Sequence, residues 1–118
     1  MSNLSGLTIS EARELLSNGE ISALNLTENY LARIAASQKL NAFCVITTEL
    51  ALEKARYCDK IMKSSEKGKL CGIPLAVKDI FCTKSIPTQA ASKILEGFVP
   101  PYESTVTNNL WSENAILL

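Results

Sequence analysis

Lys78 is the side chain of this 118-residue sequence whose setting points to chemistry, because it ends the apolar run Leu75-Ala76-Val77 that follows Gly72 and Pro74. A continuous apolar run with a β-branched member, opened by turn residues, reads as a short strand buried on both faces. An ammonium delivered to the exit of such a strand is partly desolvated. Desolvation disfavours the charged form and lowers the pKa toward the range where the neutral amine can take a proton. That is the chemistry of a lysine base. The plain alternative is a surface lysine paired with its neighbour Asp79, an interaction worth little.

Other chemistry is thinner. Four cysteines, Cys44, Cys58, Cys71 and Cys82, lie 14, 13 and 11 positions apart, and the sequence has no histidine to complete a zinc site. They are expected to be buried, reduced thiols, with no metal and no cofactor held by this chain. The polar stretch Lys63-Ser64-Ser65-Glu66-Lys67-Gly68-Lys69 is not a phosphate-binding loop. It lacks a glycine five positions before Gly68, and Leu70 stands where a hydroxyl is needed. Twelve basic and twelve acidic residues cancel, so the basic footprint of a nucleic-acid binder is absent. No apolar run approaches a membrane span, and the N-terminus Met1-Ser2-Asn3-Leu4-Ser5-Gly6 lacks the regions of a signal peptide. The expected location is cytoplasmic, where disulfides are not favoured.

The elements that must position Lys78 are mostly helical. Thr8 with Glu11 forms a capping-box pattern, followed by Ile9, Ala12, Leu15 and Leu16 at helical spacing until Gly19. Ser22 caps a second helix with a broad apolar face of Leu24, Leu31 and Ala35 beside Leu26, Tyr30 and Ile34. Residues 41–47, with Phe43, Val45 and Ile46, read as a strand. Thr47 or Thr48 caps a third helix that buries Ala51, Ala55, Cys58 and Met62. Beyond Lys78, residues 83–89 carry turn chemistry around Pro87, and residues 90–95 form a short helix ended by Gly97. Pro100-Pro101 forces extension. Ser104 caps a last helix with Val106, Leu110 and Trp111 inward, and residues 115–118 begin a buried strand. This alternation is that of an α/β sheet covered by helices.

The run Gly72-Ile73-Pro74-Leu75-Ala76-Val77-Lys78-Asp79, with Cys82-Thr83-Lys84, Thr88, Ala91-Ser92-Lys93-Ile94-Leu95-Glu96, Phe98, Pro100-Pro101-Tyr102 and Ser104-Thr105-Val106, resembles the amidase-signature family. The first part of the run is shared across that family. The later segments resemble its branch of A subunits from bacterial aspartyl/glutamyl-tRNA amidotransferases. Ile80 departs from the pattern, since many relatives carry asparagine there, but the lysine is untouched.

The resemblance implies the N-terminal part of a mixed sheet covered by helices, incomplete as given. Residues 1–118 would form a single partial amidase domain, with N-terminal helices over about residues 8–37 and alternating strands and helices after them. Leu117 and Leu118 end the sequence inside an apolar run without a polar cap, which also reads as a partial domain. An unpaired edge of that kind is expected to self-associate. The implied enzyme is a Ser-cisSer-Lys amidase in which Lys78 acts through a bridging serine on a nucleophilic serine. Ser85, Ser92 and Ser104 stand in segments that do not match the nucleophile motif, so both serines are expected to be absent and the chain by itself inert.

The implied reaction is glutamine hydrolysis supplying ammonia to convert Glu-tRNA(Gln) or Asp-tRNA(Asn) to the amidated form. The implied partners are the B and C subunits, with ATP, magnesium and most of the aminoacyl-tRNA held by the partner. Two alternatives stand beside this reading: another amidase-signature hydrolase of small amides, and a non-catalytic α/β remnant.

Overall fold

The computed structural model describes residues 4–118. Helix α1 spans Ile9–Asn18 and begins where the pattern placed it. The Thr8 N–H donates to Glu11 Oε2 at 2.7 Å and the Glu11 N–H donates to Thr8 Oγ1 at 3.2 Å, so two otherwise unpaired donors are satisfied reciprocally. Gly19, at φ 74°, closes the helix through bonds to the carbonyls of Leu15 and Leu16.

Helix α2, Ala23–Ala36, is capped by Ser22, whose Oγ accepts from the Asn25 N–H at 3.0 Å. It packs against α3, Thr48–Ile61. The contact face of α3 is made of small residues, Ala51, Ala55 and Cys58, all buried, which lets the backbones approach. Thr47 stands at the start of α3, but its hydroxyl donates to the Leu117 carbonyl at 3.1 Å instead of capping the helix.

Strand β1, Pro74–Leu75, pairs in parallel with β2, Ile116–Leu117, in the register Pro74 to Ile116 and Leu75 to Leu117. A parallel pair needs a long crossover, and here it runs from residue 76 to 115 and contains α4, Thr105–Ser112. Ile116 donates to the Ile73 carbonyl at 2.9 Å and Leu118 to the Leu75 carbonyl at 3.0 Å. Leu16, Leu26, Cys71, Ile73, Ile116 and Leu118 join the small residues of α3 in one apolar core.

The loop between α3 and β1 is shaped by close approach. Gly68 has φ +85°, and a Cβ on it would stand 2.6 Å from the carbonyl oxygen of Glu113. Around it, the Lys69 N–H donates to the Glu113 carboxylate at 2.6 Å, and Asn114 Nδ2 donates to the Lys67 carbonyl at 3.0 Å. These bonds fix where β2 starts.

Five sequence expectations need correction. Residues 41–47 form no strand. Strand propensity expresses packing on a pleated surface, and no ladder partner lies beside them among the described residues. Residues 90–95 are not an α-helix; only a 3₁₀ turn forms at Lys93–Leu95. In α4 the inward residue is Thr107, while Val106 is 47% exposed. The reason is polar: Thr107 Oγ1 lies 2.6 Å from Glu103 Oε1 and 3.1 Å from the Cys82 carbonyl, and those partners set the rotation of the helix. The run 75–77 is not buried on both faces: Leu75 and Val77 are half-buried and Ala76 is exposed, because helices cover the run incompletely among the described residues. Cys44 is exposed and Cys82 half-buried, so only Cys58 and Cys71 are the buried thiols expected.

Candidate functional site

Lys78 lies three residues past β1, where the backbone has left the sheet and turned. The turn is closed by the Phe81 N–H donating to the Lys78 carbonyl at 3.1 Å. The side chain is exposed, so the desolvation expected at a strand exit is not supplied by the described residues. It faces a cleft of about 400 Å³ whose walls include Phe43, Cys44 and Val45 from the segment before α3, Thr83 and Thr88 from the crossover, and Leu117 from β2.

The surface pair with Asp79 is not formed. Asp79 Oδ1 accepts the Gln89 N–H at 3.0 Å, and the Asp79 carbonyl accepts the Ala90 N–H at 2.9 Å. Lys78 makes no ion pair among the described residues. The neighbouring carboxylate is therefore committed to the loop that follows, and the Lys78 side chain is left facing the cleft.

The serines set aside for not matching the nucleophile motif do not join Lys78. Ser85, Ser92 and Ser104 are all absent from the cleft wall. Ser104 caps α4, its Oγ accepting the Thr107 N–H at 3.2 Å, as its sequence position indicates. The hydroxyl and thiol groups that do line the cleft are Thr47, Thr83, Thr88 and Cys44. Sequence reasoning did not place these at a site: Cys44 and Thr47 come from the segment before α3 and Thr83 and Thr88 from the crossover, and only the tertiary structure brings them around the cleft.

Buried Cys71 is an unreactive thiol, pushed up to about 12 chiefly by burial and secondly by its neighbour Cys58. Among the described residues no group of three or more His, Cys, Asp or Glu side chains converges on a possible metal position, and no helix is long and apolar enough to cross a membrane.

A small parallel strand pair packed with helices matches a partial amidase fold, as comparison with known proteins shows. Residues 25–118 match the family described as Amidase; the chain belongs to that family. Among curated relatives it is 49% identical over 118 residues to the A subunit of glutamyl-tRNA(Gln) amidotransferase from Azorhizobium caulinodans, a match covering all of this chain and 24% of the relative. Its counterpart from Ruegeria pomeroyi is 49% identical over 119 residues, with the same coverage. The chain thus spans about a quarter of the length of the curated relatives it matches. Among solved structures, native peptide amidase from Stenotrophomonas maltophilia superposes with a TM-score of 0.88 at 28% identity, over 98% of this chain and 24% of that one.

Proposed function

We propose that this chain supplies the lysine of a Ser-cisSer-Lys amidase site in the A subunit of a bacterial aspartyl/glutamyl-tRNA amidotransferase. The observation that carries the reading is Lys78 itself, unpaired in a cleft among the described residues while the adjacent carboxylate is bonded elsewhere. Its support is the similarity to A subunits over the whole chain.

In this mechanism the Lys78 amine accepts a proton from a bridging serine, which in turn deprotonates the nucleophilic serine as it attacks the amide carbon of glutamine; the proton returns through the same relay to the leaving nitrogen as the C–N bond breaks, and water then hydrolyses the acyl-serine to glutamate. The activated-nucleophile logic is that of a base within hydrogen-bond reach of a hydroxyl. Both serines lie outside this chain's cleft. The released ammonia passes to the partner B subunit, which amidates Glu-tRNA(Gln) or Asp-tRNA(Asn) after activation with ATP and magnesium; a C subunit completes the assembly in the cytoplasm.

The test is made in the complete enzyme that contains this segment. Lys78→Ala and Lys78→Arg should each abolish glutamine hydrolysis while leaving the fold, because arginine stays protonated and cannot act as a base. Ammonia release by Lys78→Arg at a rate near the parent enzyme would refute the assignment.

A further inference from the structure

A base that works through a relay of hydroxyls has to hold its nitrogen in one place, yet Lys78 is exposed and has no side-chain partner among the described residues. The restraint has to come from its backbone. The next residue provides it. Asp79 uses two acceptors on two successive donors: Oδ1 takes the Gln89 N–H at 3.0 Å, and the carbonyl takes the Ala90 N–H at 2.9 Å. On the other side of the lysine, its own carbonyl accepts from Phe81.

The loop that Asp79 grips is under strain. Ala90 and Ala91 both have positive φ, 50° and 55°, and the Ser92 N–H closes the turn onto the Gln89 carbonyl at 2.9 Å. Two consecutive left-handed residues mark a type I′ turn, for which glycine, asparagine and aspartate are the favoured residues and alanine is costly. Such a turn persists only where its surroundings over-determine it. Thr88, the residue before the gripped Gln89, lines the Lys78 cleft, so this turn sets the position of one cleft wall as well as of the lysine.

We propose that Asp79 is a positioning residue for Lys78: its carboxylate clamps the strained turn at residues 89–92 and thereby fixes both the lysine and the Thr88 wall of the cleft. This rests on the reading of Lys78 as the base, and it assigns Asp79 a geometric role, with no proton of its own to transfer. The role needs an acceptor oxygen but no negative charge.

Kinetics of glutamine hydrolysis by the complete enzyme test it, with Asp79→Ala, Asp79→Asn and Lys78→Arg compared. In Asp79→Ala the turn keeps, of its bonds to residue 79, only the backbone one from the Ala90 N–H to the carbonyl; without the carboxylate bond it should shift and displace the lysine, and a misplacement of about 1 Å costs up to about 100-fold in rate. The expected result is kcat lower by roughly 30- to 100-fold with KM within about threefold of the parent, since the loss falls on the reacting geometry. Asp79→Asn keeps an oxygen for the Gln89 N–H and should hold kcat within about threefold of the parent. Parental kcat in Asp79→Ala, or a rise in KM alone, overturns the proposal. So does an Asp79→Asn enzyme that folds but is as slow as Lys78→Arg, since charge would then matter and not the bond. If Asp79→Ala does not fold, the asparagine variant decides. Activity in Lys78→Arg would instead remove the underlying reading, whatever the Asp79 variants do.

Discussion

Asp59 of α3 reaches across to α2 and accepts the N–H of Ala23 at 2.6 Å through Oδ1, while its Oδ2 takes the N–H of Leu24 at 3.1 Å. Together with Ser22 this satisfies three of the four N-terminal donors of α2, and it places a carboxylate at the positive end of the helix dipole. The cap therefore also locks the α2–α3 packing on which the core is built.

Asp59→Ala should accordingly destabilise the fold by about 2 kcal/mol, the range for losing a cap whose bonds involve a charged acceptor. Asp59→Asn, which keeps one acceptor oxygen, should cost less. Urea denaturation of both variants measures the difference, and equal stability of parent and alanine variant would show the bonds to be worthless.

Thr27 is fully buried in α2, and its Oγ1 has no hydrogen-bond partner among the described residues. A buried unsatisfied hydroxyl costs about 1–3 kcal/mol. Thr27→Val keeps the branched shape and removes that penalty, so the urea midpoint should rise by an amount equivalent to about 1 kcal/mol with an unchanged m-value. A lower midpoint would mean that the hydroxyl is bonded in solution.

Two glycines separate backbone strain from contact. A Cβ on Gly97, at φ +80°, would meet nothing within 4 Å among the described residues beyond its chain neighbours, whereas one on Gly68, at φ +85°, would stand 2.6 Å from the Glu113 carbonyl oxygen. Gly97→Ala should cost only the left-handed penalty, about 1 kcal/mol. Gly68→Ala should cost distinctly more, because backbone must move. Thermal unfolding of the pair checks the order, and the reverse order would contradict the described loop.

Glu11 is held below its ordinary value of 4.5, first by the Thr8 N–H and then by the Thr8 hydroxyl. A lowered folded-state pKa contributes stability that is complete above 4.5 and is lost as pH falls through the folded-state value below it. The first turn of α1 should fray on acidification in that window. Amide exchange of residues 9–12 reads the fraying, and Glu11→Gln should abolish its pH dependence.

With no serine among the described residues on the wall of the Lys78 cleft, the 118-residue chain incubated alone with glutamine should release ammonia at the rate of an enzyme-free blank. Release above the blank that disappears in Lys78→Ala would reveal a nucleophile within these residues.

What the sequence alone determined are the features whose partners lie within a turn of one another. Thr8 and Glu11 are three residues apart, and so are Ser104 and the Thr107 N–H it caps; a local pattern is sufficient because the helix itself brings such pairs together. The position of Lys78 after an apolar run, and the family resemblance around it, are legible for the same reason.

Tertiary structure decided the rest. Asp59 caps a helix that starts 36 residues earlier, and Asp79 chooses Gln89, ten residues on, over the adjacent lysine. Thr107 turns inward in place of Val106 because a carboxylate and a carbonyl wait there. The β-like segment at 41–47 forms no strand, and most of it becomes a cleft wall, because a strand exists only where another backbone offers it a ladder, and which backbones become neighbours is settled by packing, at sequence separations that no local pattern encodes.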